Sequence, residues 1–340
     1  MRKILTATLA LIATTAWAAT ITVTSPGSGD FLGRTNKVKF TITGSNAQVT
    51  VKVVATLDSN PSISVEVEKQ FSPDVGGEID GSIDLNFAES TPEGDYTLVV
   101  TATEAGGTYN TVPDIDVIVD VRSPKFLNFN PLSNAFVRGT VPIFVELEES
   151  NVKEWRVRIN NADIPNNSGA TNLVIVSWDT DSIIQDGAQT INVSVEDLAS
   201  NTSTKDISVT LDRVNPSASI LAPMDGASYR PNARIAVVVN VMDQFSGSVH
   251  FTGVDVLIKS MSGQTLGRVA RRSVRNFGNN ITWTGRIRRT SQLPSEFKIV
   301  VNIIDRAGNV AVTQEVTVST SSRERRGRSK DRRERRRRSG

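Results

Sequence analysis

Residues 186–211 read DGAQTINVSVEDLASNTSTKDISVTL. Apolar and polar residues alternate along residues 189–197 and again along residues 207–211, and a short polar turn, Leu198-Ala199-Ser200-Asn201, separates the two runs. Alternation with a period of two predicts β-strands that bury one face, and a short turn rich in Asn and Ser between them predicts an antiparallel hairpin. This hairpin is the unit from which the rest of the chain can be interpreted.

The same pattern occurs three times. Residues 93–104 form the corresponding run earlier in the chain, and residues 297–305 lead through Arg306-Ala307-Gly308-Asn309 into 310–318 later. Three segments also open alike, with Pro26, Pro131 and Pro223 each followed by a small polar turn and an apolar or aromatic residue. Because these prolines are 105 and 92 residues apart, each repeat has the length of a domain and the chain is not a short-period solenoid.

These repeats predict an all-β chain of three tandem immunoglobulin-like antiparallel β-sandwiches. Each repeat contains about seven short strands, with turn signals every 8–12 residues, which is typical of such sandwiches. Two linkers, DVRSP (120–124) and DRVNP (212–216), separate the repeats, since a proline prevents a strand from continuing its ladder. The predicted organisation is a signal peptide at 1–18, Ig-like domains at 19–121, 122–213 and 214–320, and a disordered basic tail at 321–340. Trp155, Trp178 and Trp283 are predicted to fill the cores.

A family resemblance supports this interpretation. The motifs VSWDT (176–180), VSVEDLASN (193–201) and LDRVNP (211–216) resemble the bacterial Ig-like domains that occur in tandem on secreted and surface proteins. DRAGN (305–309) is similar to the same signature, and DQFSG (243–247) resembles a second turn of such domains, whereas the first repeat departs from it with EAGGT (104–108). The resemblance covers roughly residues 20–320. It implies an Ig-like sandwich that serves as a spacer, an adhesin or an enzyme appendage.

Composition argues against catalysis. The 340 residues include no Cys and one His, which excludes disulfides, thiolate chemistry and a multi-His metal centre. His250 has no Ser–Asp pattern beside it and is interpreted as a structural or surface residue. The sequence contains no Gly-rich phosphate loop, nucleophile elbow or metalloprotease motif. We therefore predict no catalytic residues, with a two-carboxylate hydrolase and a glycan-binding accessory protein as the alternatives.

The N-terminus predicts export. Arg2 and Lys3 precede an apolar run, and Ala16-Trp17-Ala18 offers small residues where a signal peptidase reads, so cleavage is expected between Ala18 and Ala19. The apolar segment is shorter than the roughly 20 residues that a membrane-spanning helix needs, and no later stretch is long enough. The sequence thus predicts a secreted protein, extracellular or periplasmic, of a bacterial envelope.

Charge is distributed unevenly. Residues 19–213 carry 27 acidic and 13 basic side chains, residues 214–322 carry 6 acidic and 12 basic, and residues 323–340 carry 3 acidic and 11 basic. The tail has no apolar residue to bury and is expected to be disordered. Its basic residues are predicted to bind polyanions: Arg323, Arg325, Arg326, Arg328, Lys330, Arg332, Arg333, Arg335, Arg336, Arg337 and Arg338.

The predicted partner is an anionic polymer of the envelope or the extracellular space, or another protein. Nucleic acid is a partner only outside the cell, and the acidic domains of a second copy are a further alternative. A solvated tail without a fixed partner is the competing interpretation. The third repeat adds arginines that would extend the basic surface: Arg268, Arg271, Arg272, Arg275, Arg286, Arg288 and Arg289.

No cofactor is predicted, but the junctions between repeats leave one alternative open. In an Ig-like sandwich, the loops after the second and sixth strands lie at the pole that faces the preceding domain. This would bring Asp243 and Asp305 near Asp212, and would bring Glu148, Glu149 and Asp197 near Asp120. Such oxygen-rich junctions can hold Ca²⁺. The interpretation we prefer from sequence alone is that these acids cap turns, with Arg122 or Arg213 neutralising them.

Overall fold

The computed structural model describes residues 19–105, 107–110, 114–245, 249, 253–277, 280–288, 290–312 and 315–320. Within these ranges the chain is built of β-strands, with two single-turn 3-10 helices and no α-helix. No helix in this part of the chain has the length and apolarity to cross a bilayer. The predicted signal peptide, His250, Arg289 and the basic tail lie outside the described residues.

The first repeat forms two facing sheets. One sheet has the strand order β1-β3-β6 and the other β2-β9-β7-β4-β5, with β8 pairing β7. The strands are β1 Thr20–Ser25, β2 Phe31–Leu32, β3 Thr35–Thr43, β4 Val49–Leu57, β5 Ser64–Phe71, β6 Glu78–Asn86, β7 Gly94–Glu104, β8 Gly107–Asn110 and β9 Ile115–Val119.

The second repeat has the same topology. Its sheets are β10-β12-β15 and β11-β17-β16-β13-β14. The strands are β10 Lys125–Asn130, β11 Phe136–Val137, β12 Thr140–Glu148, β13 Val152–Ile159, β14 Ala162–Gly169, β15 Leu173–Asp179, β16 Gly187–Asp197 and β17 Thr202–Leu211. The hairpin predicted from residues 186–211 is β16–β17, which pair from Gly187 opposite Leu211 to Glu196 opposite Thr202.

The third repeat adds an edge strand to this plan and has its last strand split in two, β26 and β27. Its sheets are β18-β20-β24-β23 and β19-β27-β25-β21-β22, with β26 pairing β25. The strands are β18 Ser217–Ala222, β19 Ala227–Tyr229, β20 Ile235–Met242, β21 Val254–Lys259, β22 Thr265–Arg268, β23 Ala270–Phe277, β24 Asn280–Ile287, β25 Glu296–Ile304, β26 Val310–Val312 and β27 Val316–Thr320. The extra strand, β23, lies at the edge of the smaller sheet.

Each sandwich has its own hydrophobic core. The buried residues fall into three clusters, within residues 21–121, 137–209 and 235–318. Alternation produces these cores directly: every second residue of Val49–Leu57 is buried, and the residues between them are half-buried. Trp155, Trp178 and Trp283 are all at most 6% exposed, which confirms the prediction that they fill the interior. Trp155 covers Gly169 of the neighbouring strand, where a Cβ atom would lie 2.4 Å from its ring.

The strand order confirms the predicted fold. The short second strand of each repeat pairs parallel to its last strand (β2 with β9, β11 with β17, β19 with β27) and completes the five-stranded sheet of an Ig-like sandwich. Each repeat has eight to ten strands by this division, more than the predicted seven. The excess arises because these two- or three-residue strands, and the split last strands, are too short to produce alternation in the sequence.

Candidate metal centres at the two junctions

The turns that follow β16 and β25 present a fixed arrangement of polar groups to the preceding linker. In the first, the Asn201 N–H donates to Asp197 Oδ1 (2.8 Å) and the Asp197 N–H donates to the Asn201 carbonyl oxygen (3.1 Å). In the second, the Asn309 N–H donates to Asp305 Oδ1 (2.8 Å) and the Asp305 N–H donates to the Asn309 carbonyl (3.0 Å). The Asp and Asn of the sequence signature are therefore the two ends of one closed turn.

The asparagine side chains connect these turns to the linkers by hydrogen bonds. Asn201 Nδ2 donates to the Asp120 carbonyl (2.9 Å), and Asn309 Nδ2 donates to the Asp212 carbonyl (2.8 Å). The same Nδ2 atoms donate to Asp197 Oδ2 (2.9 Å) and Asp305 Oδ2 (2.7 Å). Each junction thus repeats one hydrogen-bonding scheme, in which a buried asparagine holds the linker aspartate against the next domain.

Three carboxylates meet at each of these points. One ligand oxygen each of Asp212, Asp243 and Asp305 lies within 4.8 Å of the other two. The other set is Asp120, Glu149 and Asp197, with the same limit. The juxtaposition expected from the topology of an Ig-like sandwich is therefore present at both junctions.

One residue of the expected set is elsewhere. Glu148 ends β12 and is paired with Lys125 of β10, whose Nζ lies 3.1 Å from Glu148 Oε2. Glu149 follows the end of β12 and belongs to the cluster, whereas Glu148, the last residue of that strand, lines the same cavity as Asp120 but stays outside the cluster. The expected approach of Glu148 to Asp120 therefore does not make it a member of the cluster.

The interpretation that these acids cap turns is confirmed for three of them, which accept hydrogen bonds from backbone N–H groups. Asp212 Oδ1 accepts from the Val214 N–H (3.2 Å), Asp243 Oδ1 from the Phe245 N–H (2.9 Å) and Glu149 Oε1 from the Asn151 N–H (2.7 Å). In each of these carboxylates one oxygen caps a turn, which leaves the second oxygen for another partner.

The two linker arginines do not neutralise the clusters. Arg122 forms its ion pair with Glu93, whose Oε1 also accepts from the Arg122 N–H (3.0 Å). Arg213 Nε lies 2.6 Å from Asp186 Oδ1 and the Arg213 N–H donates to Asp186 Oδ2 (2.9 Å). Both arginines fix the linker to the domain before it, and the described residues place no cation in an ion pair with Asp212, Asp243 or Asp305.

Burial makes this uncompensated charge costly at the second junction. Asp212 is 0% exposed, and its Oδ2, like Asp243 Oδ2, is buried without a hydrogen-bond partner among the described residues. Burial, followed by the charges of Asp243 and Asp305, raises the pKa of Asp212 to about 6. Burial and the charges of Asp197 and Glu149 raise the pKa of Asp120 to about 6 in the same way. Like charges held together out of water disfavour ionisation unless a cation joins them.

The ligand chemistry indicates the kind of cation. All donors are oxygens, with no Cys or His among them, and carboxylates with water suit hard cations such as Ca²⁺ and Mg²⁺ rather than Zn²⁺. The first junction also opens into a cavity of about 710 Å³ lined by residues of both domains, among them Glu93, Asp120 and Glu149. Ca²⁺ accepts six to eight oxygens in irregular geometry, so carboxylates supplemented by water can satisfy it.

A second contact brings the same elements together at each junction. Gly33 packs against the turn after β16 so closely that a Cβ atom on it would lie 2.4 Å from the Ala199 carbonyl oxygen. Gly33 lies seven residues after Pro26, which opens the first repeat, and Arg138 lies seven residues after Pro131, which opens the second. Arg138 Nε donates to the Ala307 carbonyl (3.1 Å). Sequence reasoning missed Asn201, Asn309, Gly33 and Arg138. The recurrence of Asp-x-Ala-x-Asn was a signal for the two asparagines, which were interpreted as turn formers, whereas Gly33 and Arg138 lie outside this motif.

The outer pole of the first domain lacks this arrangement. Its equivalent turn begins at Glu104, and Glu104 Oε2 accepts a hydrogen bond from the buried Ser45 hydroxyl (2.8 Å). The departure of EAGGT from the signature therefore coincides with the absence of a carboxylate cluster among the described residues of this pole.

Comparison with protein-family profiles gives no match for this chain. Comparison with curated protein sequences gives none either. Among solved structures, a three-domain fragment of titin (I67–I69, an E-to-A variant) has 12% identity and a TM-score of 0.35, covering 89% of this chain and 99% of that one. The fibronectin(III)-like modules of Clostridium thermocellum CbhA have 18% identity and a TM-score of 0.32, covering 56% and 93%. A Ca²⁺-stabilised adhesin with which an Antarctic bacterium binds ice has 18% identity and a TM-score of 0.30, covering 91% and 75%. By its own strand order, the chain is a protein of tandem immunoglobulin-like domains.

Proposed function

We propose that this chain is a non-catalytic, exported string of three Ig-like domains that works as an adhesion, spacer or envelope-associated module, and that Ca²⁺ at its two junctions stiffens it. One observation carries the proposal: Asp212, a fully buried carboxylate with an unpartnered oxygen, lies in one cluster with Asp243 and Asp305. A buried, unpaired charge lowers the stability of the folded state by several kcal/mol. A divalent cation bound between the carboxylates would attract all three and offset this loss.

The position of the clusters explains why a cation would stiffen the chain. Asp212 belongs to the linker, whereas Asp243 and Asp305 belong to the loops of the following domain. A cation bound by all three would join the end of one domain to the beginning of the next. Without it, three carboxylates repel one another across the same joint, and the hydrogen bonds of Asn309 and Arg138 oppose that repulsion.

The same proposal includes the organisation expected from the sequence. We assign a signal peptide to residues 1–18, domains to 19–121, 122–213 and 214–320, and a polyanion-binding role to the basic tail. The ladder breaks at the two linkers, 120–124 and 212–216, support the inner boundaries. Export is supported by the leader sequence.

The alternatives find less support in the site. A glycan-binding accessory protein that stacks sugar rings on aromatic side chains would present a row of exposed rings, but Trp155, Trp178 and Trp283 are buried. A two-carboxylate hydrolase needs an acid that reaches a substrate cleft, while Asp197 and Asp212 are 0% exposed. Asp197 moreover has both oxygens engaged with Asn201.

Thermal unfolding with and without Ca²⁺ tests the proposal. We expect millimolar Ca²⁺, compared with excess chelator, to raise the melting temperature by several degrees, since a ligand at 100 times its Kd stabilises by about 2.7 kcal/mol per site. Glu149→Gln should remove the part of this shift that comes from the first junction, and Asp243→Asn the part from the second. Each variant keeps the oxygen that caps its turn.

The chain offers matched controls for both variants. Glu148→Gln neutralises the neighbouring acid, which faces Lys125, and Asp225→Asn neutralises an acid that accepts from the Thr317 N–H away from the junction. Both should keep the full Ca²⁺ response. A wild-type melting temperature that Ca²⁺ leaves unchanged, or equal losses in Glu148→Gln and Glu149→Gln, would contradict the proposal.

A further inference from the structure

The outer face of the smaller sheet in the third domain carries arginines without counter-charges. The strands β20, β24 and β23 pair so that Arg275 lies opposite Thr282, Ser273 opposite Thr284, and Ala270 opposite Arg286. Burial alternates along β24, with Ile281, Trp283 and Ile287 inside, so Thr282, Thr284, Arg286 and then Arg288 face outward. Arg272 is the extra residue of a bulge between Arg271 and Ser273.

These arginines line one continuous strip. Arg272, Ser273, Thr284 and Arg286 border a shallow groove of about 260 Å³. The Ser273 and Thr284 hydroxyls at its floor lie 2.7 Å apart. From Arg275, beside Thr282, to Arg288 the strip follows six residues of strand, which is about 20 Å. We call Arg272, Arg275, Arg286 and Arg288 the arginine strip.

The charge of the strip is uncompensated within the described residues. None of its four arginines forms an ion pair there, whereas Arg268 in the same domain pairs with Asp255 (3.3 Å) and Lys298 with Glu315 (2.5 Å). The outward residues of the neighbouring strand β20, including Ala236, Val238 and Asn240, carry no charge. Four like charges on one face, without an acid beside them, form a surface that attracts an extended anion.

We propose that the arginine strip binds a linear anionic polysaccharide. A guanidinium grips sulfate or carboxylate through paired hydrogen bonds, and the strip alternates guanidinium groups with the hydroxyls of Ser273, Thr282 and Thr284. That alternation complements a sugar polymer, which bears anionic groups separated by hydroxyls. Single-stranded nucleic acid sites interleave basic and aromatic side chains, whereas on this face one aromatic, Phe277, follows Arg275 at one end of the strip and hydroxyls separate the other arginines.

This binding surface is separate from both junctions. The strip lies on β23 and β24, while the second junction is formed by the linker and the loops after β20 and β25. Strand β23 is also the strand that the first two domains lack. The proposal therefore holds or fails independently of Ca²⁺ at the junctions.

The test measures binding of the full chain to immobilised heparin, which is sulfated, to polygalacturonate, which is carboxylated, and to uncharged dextran. Wild type should bind one or both anionic polymers and not dextran, and the preferred polymer identifies the anionic group. The variant Arg272→Gln/Arg275→Gln/Arg286→Gln should bind at least about ten-fold more weakly. Its affinity should also depend less steeply on salt, because a complex with fewer charge contacts releases fewer counterions.

The control removes the same charge elsewhere in the domain, through Arg230→Gln/Lys259→Gln/Lys298→Gln, in which Lys259 and Lys298 lie opposite each other on the other sheet, and should change affinity less than two-fold. Both triple variants are also made in a chain ending at residue 322, so that the tail cannot mask the difference. Melting curves of each variant establish that it is folded. Equal losses in the two variants, no loss in either, tighter binding to double-stranded DNA than to both polysaccharides, or self-association that depends on the strip would overturn the proposal.

Discussion

Asp212 shows how one buried carboxylate determines the behaviour of a junction. Its Oδ1 caps the linker turn at Val214 and its Oδ2 has no partner among the described residues. The pKa of Asp212, raised to about 6 by burial and by Asp243 and Asp305, means that the folded chain binds a proton which the unfolded chain, with its ordinary pKa of about 3.9, has already released.

This pKa has a defined consequence for stability. Between about pH 4 and pH 6 the folded state holds more protons than the unfolded state, so stability falls as the pH rises through this window and levels off above it. We expect Asp212→Asn, measured in chelator, to be more stable than wild type at pH 7.5, by on the order of 2 kcal/mol. The advantage should vanish near pH 4, where Asp212 is protonated. Urea unfolding at the two pH values measures the difference.

Calcium should reverse the order of the two proteins. Metal binding needs ionised carboxylates, so wild type at pH 7.5 should gain stability from Ca²⁺ while Asp212→Asn gains much less. Asp225→Asn, as the control, should follow wild type in both conditions. An Asp212→Asn protein that is less stable than wild type in chelator at pH 7.5 would show that the buried charge already has a partner.

The sequence identified most of the residues at this scale. Asp120, Asp197, Asp212, Asp243 and Asp305 follow from the topology of the sandwich, because each stands at the end of an alternating run. The hydrogen bonds of Asn201 and Asn309 to the linkers could not be predicted from the sequence. An asparagine in a turn has the same sequence signature whether its side chain contacts water or a distant carbonyl. Glu148 and Glu149 are adjacent acids, and only the structure shows which of them belongs to the cluster.

At the scale of elements, strand alternation predicted the sheets and their hairpins, but not how closely one domain approaches the next. The loop between β2 and β3 presents Gly33 to the turn after β16, where a Cβ atom would lie 2.4 Å from Ala199 O and 3.4 Å from Asn201 Oδ1. A contact between residues 166 positions apart leaves no trace in local periodicity. Close contacts of this kind between domains can be recognised only in the structure.

Gly33→Ala should open the first junction without unfolding either domain. The added methyl group would displace the turn that holds Asn201 against Asp120, so the linker should become accessible more often. We expect trypsin to cleave after Arg122 several times faster than in wild type, and the Ca²⁺ response of the first junction to shrink. The rate of cleavage is followed by mass spectrometry under native conditions.

Gly267→Ala is the control for this change, because a Cβ atom at Gly267 meets nothing within 4 Å. Its cleavage rate should equal that of wild type. If Gly33→Ala is cleaved no faster than Gly267→Ala, then the approach of Gly33 to Ala199 does not hold the junction closed.

At the scale of the whole molecule, charge separates the chain into an acidic and a basic part. The 27 acidic residues among residues 19–213 lie mainly in the first two domains, while the third domain and the tail are basic. This asymmetry was evident from the sequence, and so was the tail. What the sequence could not show was which other arginines of the third domain share a sheet face with Arg286 and Arg288, since this depends on the bulge and register of β23.

Removal of residues 323–340 tests the tail on its own. With no apolar side chain to bury, the tail contributes nothing to a core, and we expect the free energy of unfolding to change by less than about 0.5 kcal/mol. Retention on anionic cell-envelope material should weaken by an order of magnitude or more at low salt, because the deletion removes 11 basic residues and 3 acidic ones. Co-sedimentation with envelope fragments over a salt series measures retention.

A tail of equal length whose 11 basic residues are replaced by Gln provides the control, since it keeps the chain length and removes the charge. It should behave like the truncated protein. Retention of the truncated protein equal to that of wild type at low salt would assign the contact to the folded domains alone. A raised or lowered melting temperature in the truncated protein would instead mean that residues 323–340 pack against them.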